Sequence, residues 1–241
     1  YDLDKDEFRS GNPDDFCFIS TKINYEPLDN DDPLIKEVYD FIHQILPDDE
    51  LFDYTLKVLS SCLSGEVNDE KIYFFLGEGG NGKSKLIELI KMSFGEYFCA
   101  PPPTILQNSR NAAENASPQL VATKSKRINV IQEPEEGKLN SGVVKEWSGG
   151  DTITGRELYG KKPISFKPQF KLFIISNYRL EIDATDNGMR RRLINIMFNS
   201  KFCENPDPNN PNEHIIDKNL YNKMKSWHQD FMNILIKTYP I

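Results

Sequence analysis

Eight consecutive residues, Gly77-Glu78-Gly79-Gly80-Asn81-Gly82-Lys83-Ser84, constrain this chain more than any other feature. They match the pattern GxxxxGK[ST] in full. The glycines let backbone N–H groups turn inward around an anion. A helix starting directly afterwards would aim its partial positive charge at the same point. Lys83 has the reach to meet β- and γ-phosphates, and the Ser84 hydroxyl suits a divalent cation. The expected ligand is therefore a nucleoside triphosphate, ATP, with Mg²⁺. Such a loop needs a strand before it and a helix after it. Residues 71–76, Lys-Ile-Tyr-Phe-Phe-Leu, form a short β-prone run suited to a strand buried on both faces of a parallel sheet. Residues 85–94 follow with helical spacing.

The rest of the chain alternates between helical and strand periods. Residues 33–46 place Leu34, Ile35, Val38, Tyr39, Ile42, Ile45 and Leu46 at helical spacing, with Asp31 or Asp32 as N-cap and Pro47 as the stop. Residues 49–63 predict a second helix, with Phe52, Leu56, Leu59 and Leu63 on one stripe. Further buried strands are expected at 128–133, 170–177 and 193–198, and a helix at 140–147. A C-terminal helix carries Leu220, Met224, Trp227, Phe231 and Leu235. Residues 153–158 and 164–166 alternate around Gly160-Lys161-Lys162-Pro163, which predicts a β-hairpin. Residues 1–30 read as an irregular lead-in, and 204–213 as an Asn/Pro-rich loop. The pattern predicts an α/β fold whose central, mostly parallel sheet is flanked by helices and preceded by a small helical layer. The expected division is 1–66 for the acidic lead-in and helical region, 67–203 for the nucleotide-binding core, and 204–241 for the C-terminal loop and helix. With Tyr1 where an initiating Met would stand, the sequence reads as a piece of a longer chain.

A phosphate loop of this kind works with acids at the end of a neighbouring strand. Glu133 ends the predicted strand 128–133, Pro134 stops it, and Glu135 and Glu136 follow. A carboxylate at the C-terminal edge of a buried strand faces the ligand crevice of an α/β sheet. One acid is expected to hold Mg²⁺ and another to polarise the attacking water. Asn177, after Ser176 at the end of another buried strand, has the neutral amide that orients such a water. It is equally the kind of residue that forms turns. Arg190-Arg191-Arg192 precedes the last strand, and one of these side chains suits an arginine finger reaching a neighbouring subunit's γ-phosphate. The hairpin bears Arg156, Tyr159, Lys161 and Lys162, with Lys167 and Lys171 on its return. Cations with an aromatic on a protruding ribbon suit a single-stranded nucleic acid backbone.

Charge distribution qualifies the net charge of −8. Residues 1–54 hold 16 acidic against 4 basic side chains, a net of −12, so the remainder carries +4. An acidic total thus leaves room for a polyanion bound by one local surface. Cysteines at 17, 62, 99 and 203 form no CxxC pair and predict free thiols in a reducing compartment rather than a zinc site. The three His residues (43, 214, 228) form no constellation and are read as structural. No apolar run approaches the roughly 20 residues needed to span a bilayer, so no membrane partner is expected.

Taken in order, the phosphate loop, the strand ending in Gln132-Glu133-Pro134-Glu135-Glu136-Gly137, the phrase Ser148-Gly149-Gly150-Asp151-Thr152-Ile153-Thr154-Gly155-Arg156 and the strand from Phe170 to Asn177 resemble a superfamily 3 helicase of the AAA+ class. More narrowly they resemble the helicase portion of the poxvirus-type primase–helicases of large DNA viruses, over about residues 33–200. The resemblance implies that Lys83 and Ser84 are Walker A, and that Glu133, with Glu135 or Gln132 beside it, is Walker B. It implies that Asn177 is sensor 1, that Arg191 or Arg192 is a finger acting in trans, and that Arg156, Lys161 and Lys162 belong to a DNA-contacting hairpin. The family pattern often has two adjacent acids at Walker B, whereas here Pro134 separates Glu133 from Glu135. The implied protein is an ATP-dependent DNA helicase motor for viral or mobile-element replication. It would work as a homo-oligomer, a hexameric ring with single-stranded DNA in its channel, with a primase domain in the same full-length chain. Host cytoplasm or nucleus, at viral replication sites, is the expected location. An AAA+ loader or scaffold ATPase without unwinding, and a P-loop small-molecule kinase, are the alternatives.

Overall fold

Ile72-Tyr73-Phe74-Phe75-Leu76 carries no charged side chain on either of its alternating faces, so the middle of a sheet is the arrangement that hides it. In the computed structural model all five residues are buried. At roughly 1.5–3 kcal/mol per fully buried large apolar side chain, this run is a major source of driving force for the fold. The structure describes residues 1–27, 29, 31–107, 116–134, 138–182 and 187–239.

In chain order the elements are α1 (Pro33–Ile45), α2 (Asp49–Ser61), β1 (Ile72–Leu76), α3 (Lys83–Phe94), β2 (Phe98–Cys99), α4 (Thr104–Gln107), α5 (Pro118–Val121), β3 (Ile128–Gln132), β4 (Lys138–Leu139), α6 (Ser141–Ser148), β5 (Ile153–Gly155), β6 (Ile164–Phe166), β7 (Lys171–Ser176), β8 (Glu181–Ile182), α7 (Asn187–Arg190), β9 (Leu193–Met197), β10 (Lys201–Cys203), β11 (Glu213–Ile215) and α8 (Leu220–Thr238). They fall into two units. One comprises Gly65–Gly77 and Phe98–Met197, the other Tyr1–Ser64, Glu78–Tyr97 and Phe198–Ile241. The expected boundaries at 66 and 203 lie near two of the chain's passages between units; the passages at 77/78 and 97/98 are additional.

The first unit is built on a five-stranded sheet in the order β2-β3-β7-β1-β9, every neighbour parallel. This is the expected α/β fold with a central parallel sheet. One face packs Ile72, Phe74, Leu76, Ile131, Leu172 and Ile174 against Val143, Val144 and Trp147 of α6. Trp147 meets Phe170 edge to face at 5.6 Å, a favoured aromatic geometry. The β5–β6 hairpin pairs Thr154 with Ser165, and their hydroxyls lie 2.8 Å apart. Its base is tied to α5, because Ser117 N–H donates to Arg156 O at 2.8 Å and Ser117 Oγ accepts from Arg156 N–H.

The second unit packs α1, α2 and α3 with α8. Asp32 caps α1 through Leu34 N–H and Asp48 caps α2 through Leu51 N–H, both at 2.8 Å, as short oxygen-bearing side chains do at helix starts. Helix α8 buries Met224, Trp227, Phe231, Ile234 and Leu235. Ser60 Oγ donates to Leu235 O at 2.6 Å, and Ser93 Oγ to His228 O at 2.8 Å. The lead-in is held by Tyr97 OH donating to Ile19 O and Ser20 N–H donating to Glu96. Helix α2 ends at Ser61 rather than 63, and α3 begins at Lys83 rather than 85. The parallel pair β10–β11, either side of the Asn/Pro-rich loop, was not expected from the sequence. Among the described residues no helix is long and apolar enough to cross a membrane.

Candidate active site

The sheet places three of the expected site segments at one edge. Leu76 pairs with Ser176 and Gln132 with Ile175, so the C-terminal ends of β1, β3 and β7 are level to within one residue. Gly77, Glu133 and Asn177 are the residues that follow these ends. Glu133 N–H donates to Ile175 O at 2.9 Å, which carries the ladder one residue past β3. Its φ of +45° then turns the chain out of the sheet, leaving the carboxylate exposed. A non-glycine residue there costs on the order of 1–3 kcal/mol, and such outliers cluster at functional sites. Tyr178 OH donates to Pro134 O at 2.7 Å, pinning the exit of β3 to the turn after β7, and Ser176 Oγ accepts from Tyr178 N–H. Asn177 is exposed at this edge. Glu135 lies outside the described residues. Sequence reasoning passed over Tyr178, because its partner is 44 residues away and has no local signature.

The phosphate loop leaves β1 at this edge. Gly80 and Gly82 hold φ of +78° and +84°, conformations that glycine adopts without strain. A side chain on Gly82 would also come within 2.7 Å of Ile45. Asn81 is buried and fastens the loop, its Nδ2 donating to Phe198 O at 3.2 Å while its Oδ1 accepts from Lys83 Nζ at 3.0 Å. Lys83 Nζ also donates to Glu78 O at 3.1 Å. The strand β10 braces the loop from outside, with Phe202 N–H donating to Gly80 O at 2.7 Å. Gly82 is the N-cap of the 12-residue α3 and has no side chain to cap it, while Lys83 N–H, the first of the helix, donates to Asn81 Oδ1 at 3.5 Å. Ser84 is exposed in its first turn.

The three arginines differ sharply. Arg192 is buried, with 10% of its side chain exposed. It pairs with Glu70 at 3.0 Å and donates to Gly188 O at 2.6 Å. Arg191 pairs with the same carboxylate but keeps 58% of its side chain exposed. Arg190 is exposed. Lys71 Nζ donates to Arg191 O at 2.5 Å and Ile72 N–H to Arg192 O at 2.7 Å, which fixes the turn to the start of β1. Of the two candidate fingers, Arg191 is thus the one whose side chain is mostly exposed, with its guanidinium paired to Glu70.

Lys161 and Lys162 are exposed in the loop of the β5–β6 hairpin, and Arg156 is half-buried at its base. Lys171 does not belong with them. It opens β7, is 5% exposed, and donates to Asp69 Oδ2 at 2.7 Å, an oxygen that also accepts from Tyr73 OH. A buried ammonium needs such a partner, and this one holds the base of the sheet rather than a ligand.

Residues 75–192 fit the model of a family of unknown function, DUF5906. Over 99% of its length the chain is 38% identical to a protein of Acanthamoeba polyphaga mimivirus named as a candidate helicase, of which it spans 26%. It is 32% identical over 90% of its length to a protein of Invertebrate iridescent virus 6 with the same kind of name, spanning 23% of it. It is 29% identical over 91% of its length to a protein of African swine fever virus named as a candidate primase, spanning 24%. The chain therefore covers about a quarter of these relatives. Among solved structures, the NrS-1 C terminal region shares the fold with a TM-score of 0.64 at 17% identity, over 90% of this chain and 48% of that one. The chain belongs to the family of these helicase-named proteins of large DNA viruses.

Proposed function

We propose that this chain is the ATP-driven motor of a viral replication helicase, hydrolysing ATP between the subunits of a ring, a hexamer, and translocating on single-stranded DNA. The observation that carries the reading is the level alignment of Gly77, Glu133 and Asn177 at one sheet edge, from which the phosphate loop departs. The helix start at a glycine N-cap and the glycine conformations of the loop fit a polyphosphate. Lys83 and the loop amides would hold the phosphates. Ser84 and Glu133, both hard oxygen donors, fit Mg²⁺, which takes few protein ligands when phosphates supply the rest. When bound, that ion neutralises charge on the phosphate oxygens. Asn177 would orient water, and Glu133 or Glu135 would accept its proton. Arg191, presented from the turn before β9, would act on a neighbour's nucleotide, which requires a head-to-tail interface that closes. Lys161 and Lys162 would contact the DNA backbone. A primase region in the same full-length protein, and action at replication sites within the host cell, complete the proposal.

The test is ATP turnover with and without single-stranded DNA, beside mass measurement with nucleotide. We expect DNA-stimulated hydrolysis, loss of turnover in Lys83→Ala, and assembly on adding ATP. A monomer under every condition with no DNA stimulation would sink the reading. Hydrolysis and DNA binding without strand displacement would assign the chain to a loader.

A further inference from the structure

We infer that Tyr159, at the tip of the β5–β6 hairpin, is a base-stacking residue for single-stranded DNA. The inference rests on the motor reading and adds to it a contact with bases rather than phosphates.

Three observations converge. First, the tip is a four-residue turn, Glu157 to Gly160, closed by Gly160 N–H donating to Glu157 O at 3.0 Å. Tyr159 sits at its third position with φ of +64°, in the left-handed region where turns of this kind take glycine or asparagine. A bulky aromatic there is strained, and glycine stands only one residue later. Second, the ring gains nothing from folding that would offset the strain, because Tyr159 is 94% exposed. It is the most exposed large hydrophobic residue among those described, and Leu158 beside it is 60% exposed. Third, the tip is not adrift. The register Ile153 with Phe166 to Gly155 with Ile164 sets the ribbon, and Ser117 anchors Arg156 at its base. Lys161 and Lys162 lie two and three residues further along the same loop, both exposed.

A rigidly based ribbon thus carries an aromatic face forced into solvent next to two ammonium groups. A strand of nucleic acid is the partner with both features in one repeat, a phosphate for each cation and a flat π-face for the ring. The cations recognise the backbone whatever bases it bears; the ring recognises only that a base is there. The two contacts are therefore separable by removing the bases.

The experiment measures binding of the whole chain, with nucleotide, to oligo-dT and to an abasic strand of equal length. Tyr159→Ala is expected to weaken oligo-dT binding about 5- to 150-fold, the equivalent of one lost base stack, and to leave abasic binding within about two-fold. Tyr159→Phe should bind as the wild type does, since the face and not the hydroxyl is used. Tyr159→Gly should bind as weakly as the alanine variant while melting no lower than wild type, which separates lost contact from lost fold. Lys161→Ala with Lys162→Ala should weaken both strands. If Tyr159→Ala leaves oligo-dT binding intact, or weakens both strands equally, while the lysine variant weakens both, the stacking assignment is wrong and the hairpin's DNA contact stands. If neither variant changes binding, the DNA contact itself is wrong.

Discussion

Glu70 accepts both Arg191 and Arg192, and the two pairs have different consequences. Removing the carboxylate takes the ionic partner from the guanidinium of Arg192, which is 10% exposed along its side chain and keeps its bond to Gly188 O. Glu70→Ala and Arg192→Ala should each lower unfolding free energy by on the order of 1–3 kcal/mol in urea titrations. Arg191→Ala should cost less than about 1 kcal/mol, because its pair is open to solvent. Its proposed role is in turnover. If Arg191 completes a neighbour's site, ATP hydrolysis falls by about 10³-fold or more at unchanged stability. Equal activity in Arg191→Ala and wild type would remove it from the chemistry. None of this division was visible in the sequence, where three consecutive arginines are equivalent. What separates them is a partner more than 100 residues earlier, and pairing at that range leaves no trace in spacing. Lys171 misled for the same reason, since its partner Asp69 lies 102 positions away.

Among the elements, those with a strong period were legible and those without it were not. β1, β3 and β7 are apolar on both alternations because both of their faces are buried, and no other state hides such runs. α1 showed its stripe because one side of it is covered, and α8 because the same holds over its first half, before Phe231–Leu235 are buried all round. β10 and β11 have three residues each and flank a loop rich in Asn and Pro, so neither period develops. Their pairing is read instead in Glu213. The Asp207 N–H and then the Lys201 ammonium hold its carboxyl below the ordinary range, and Glu213 in turn raises Lys201. For a lowered carboxyl the stabilisation is full above the unfolded value, about 4.3, and is lost as pH falls through the lower folded value. The Asp207 amide resonance should therefore titrate in acid with a midpoint below about 4.3. A midpoint at or above that value would show that the clasp between Glu213 and Asp207 does not hold in solution.

The molecule as a whole concentrates much of its second unit's core in the last helix. Phe231 is fully buried within α8, beside Met224, Trp227, Ile234 and Leu235. Phe231→Ala should cost about 3–5 kcal/mol, read as a lowered midpoint of thermal or urea unfolding. A shift below about 1 kcal/mol would mean that this core is not tightly packed. Contiguous blocks were the natural expectation from sequence, since composition changes smoothly along a chain. Contiguity is not how the units are built, because the polypeptide passes between them at 64/65, 77/78, 97/98 and 197/198. The second of these passages falls inside the eight-residue phosphate loop. Inheritance is the place where this matters. Any single crossover within the chain splits the unit that holds both termini, and a crossover between 65 and 197 splits both units. The stretch recognised as a shared family, 75–192, accordingly carries Glu78–Tyr97 of one unit between segments of the other, so the two are inherited together there.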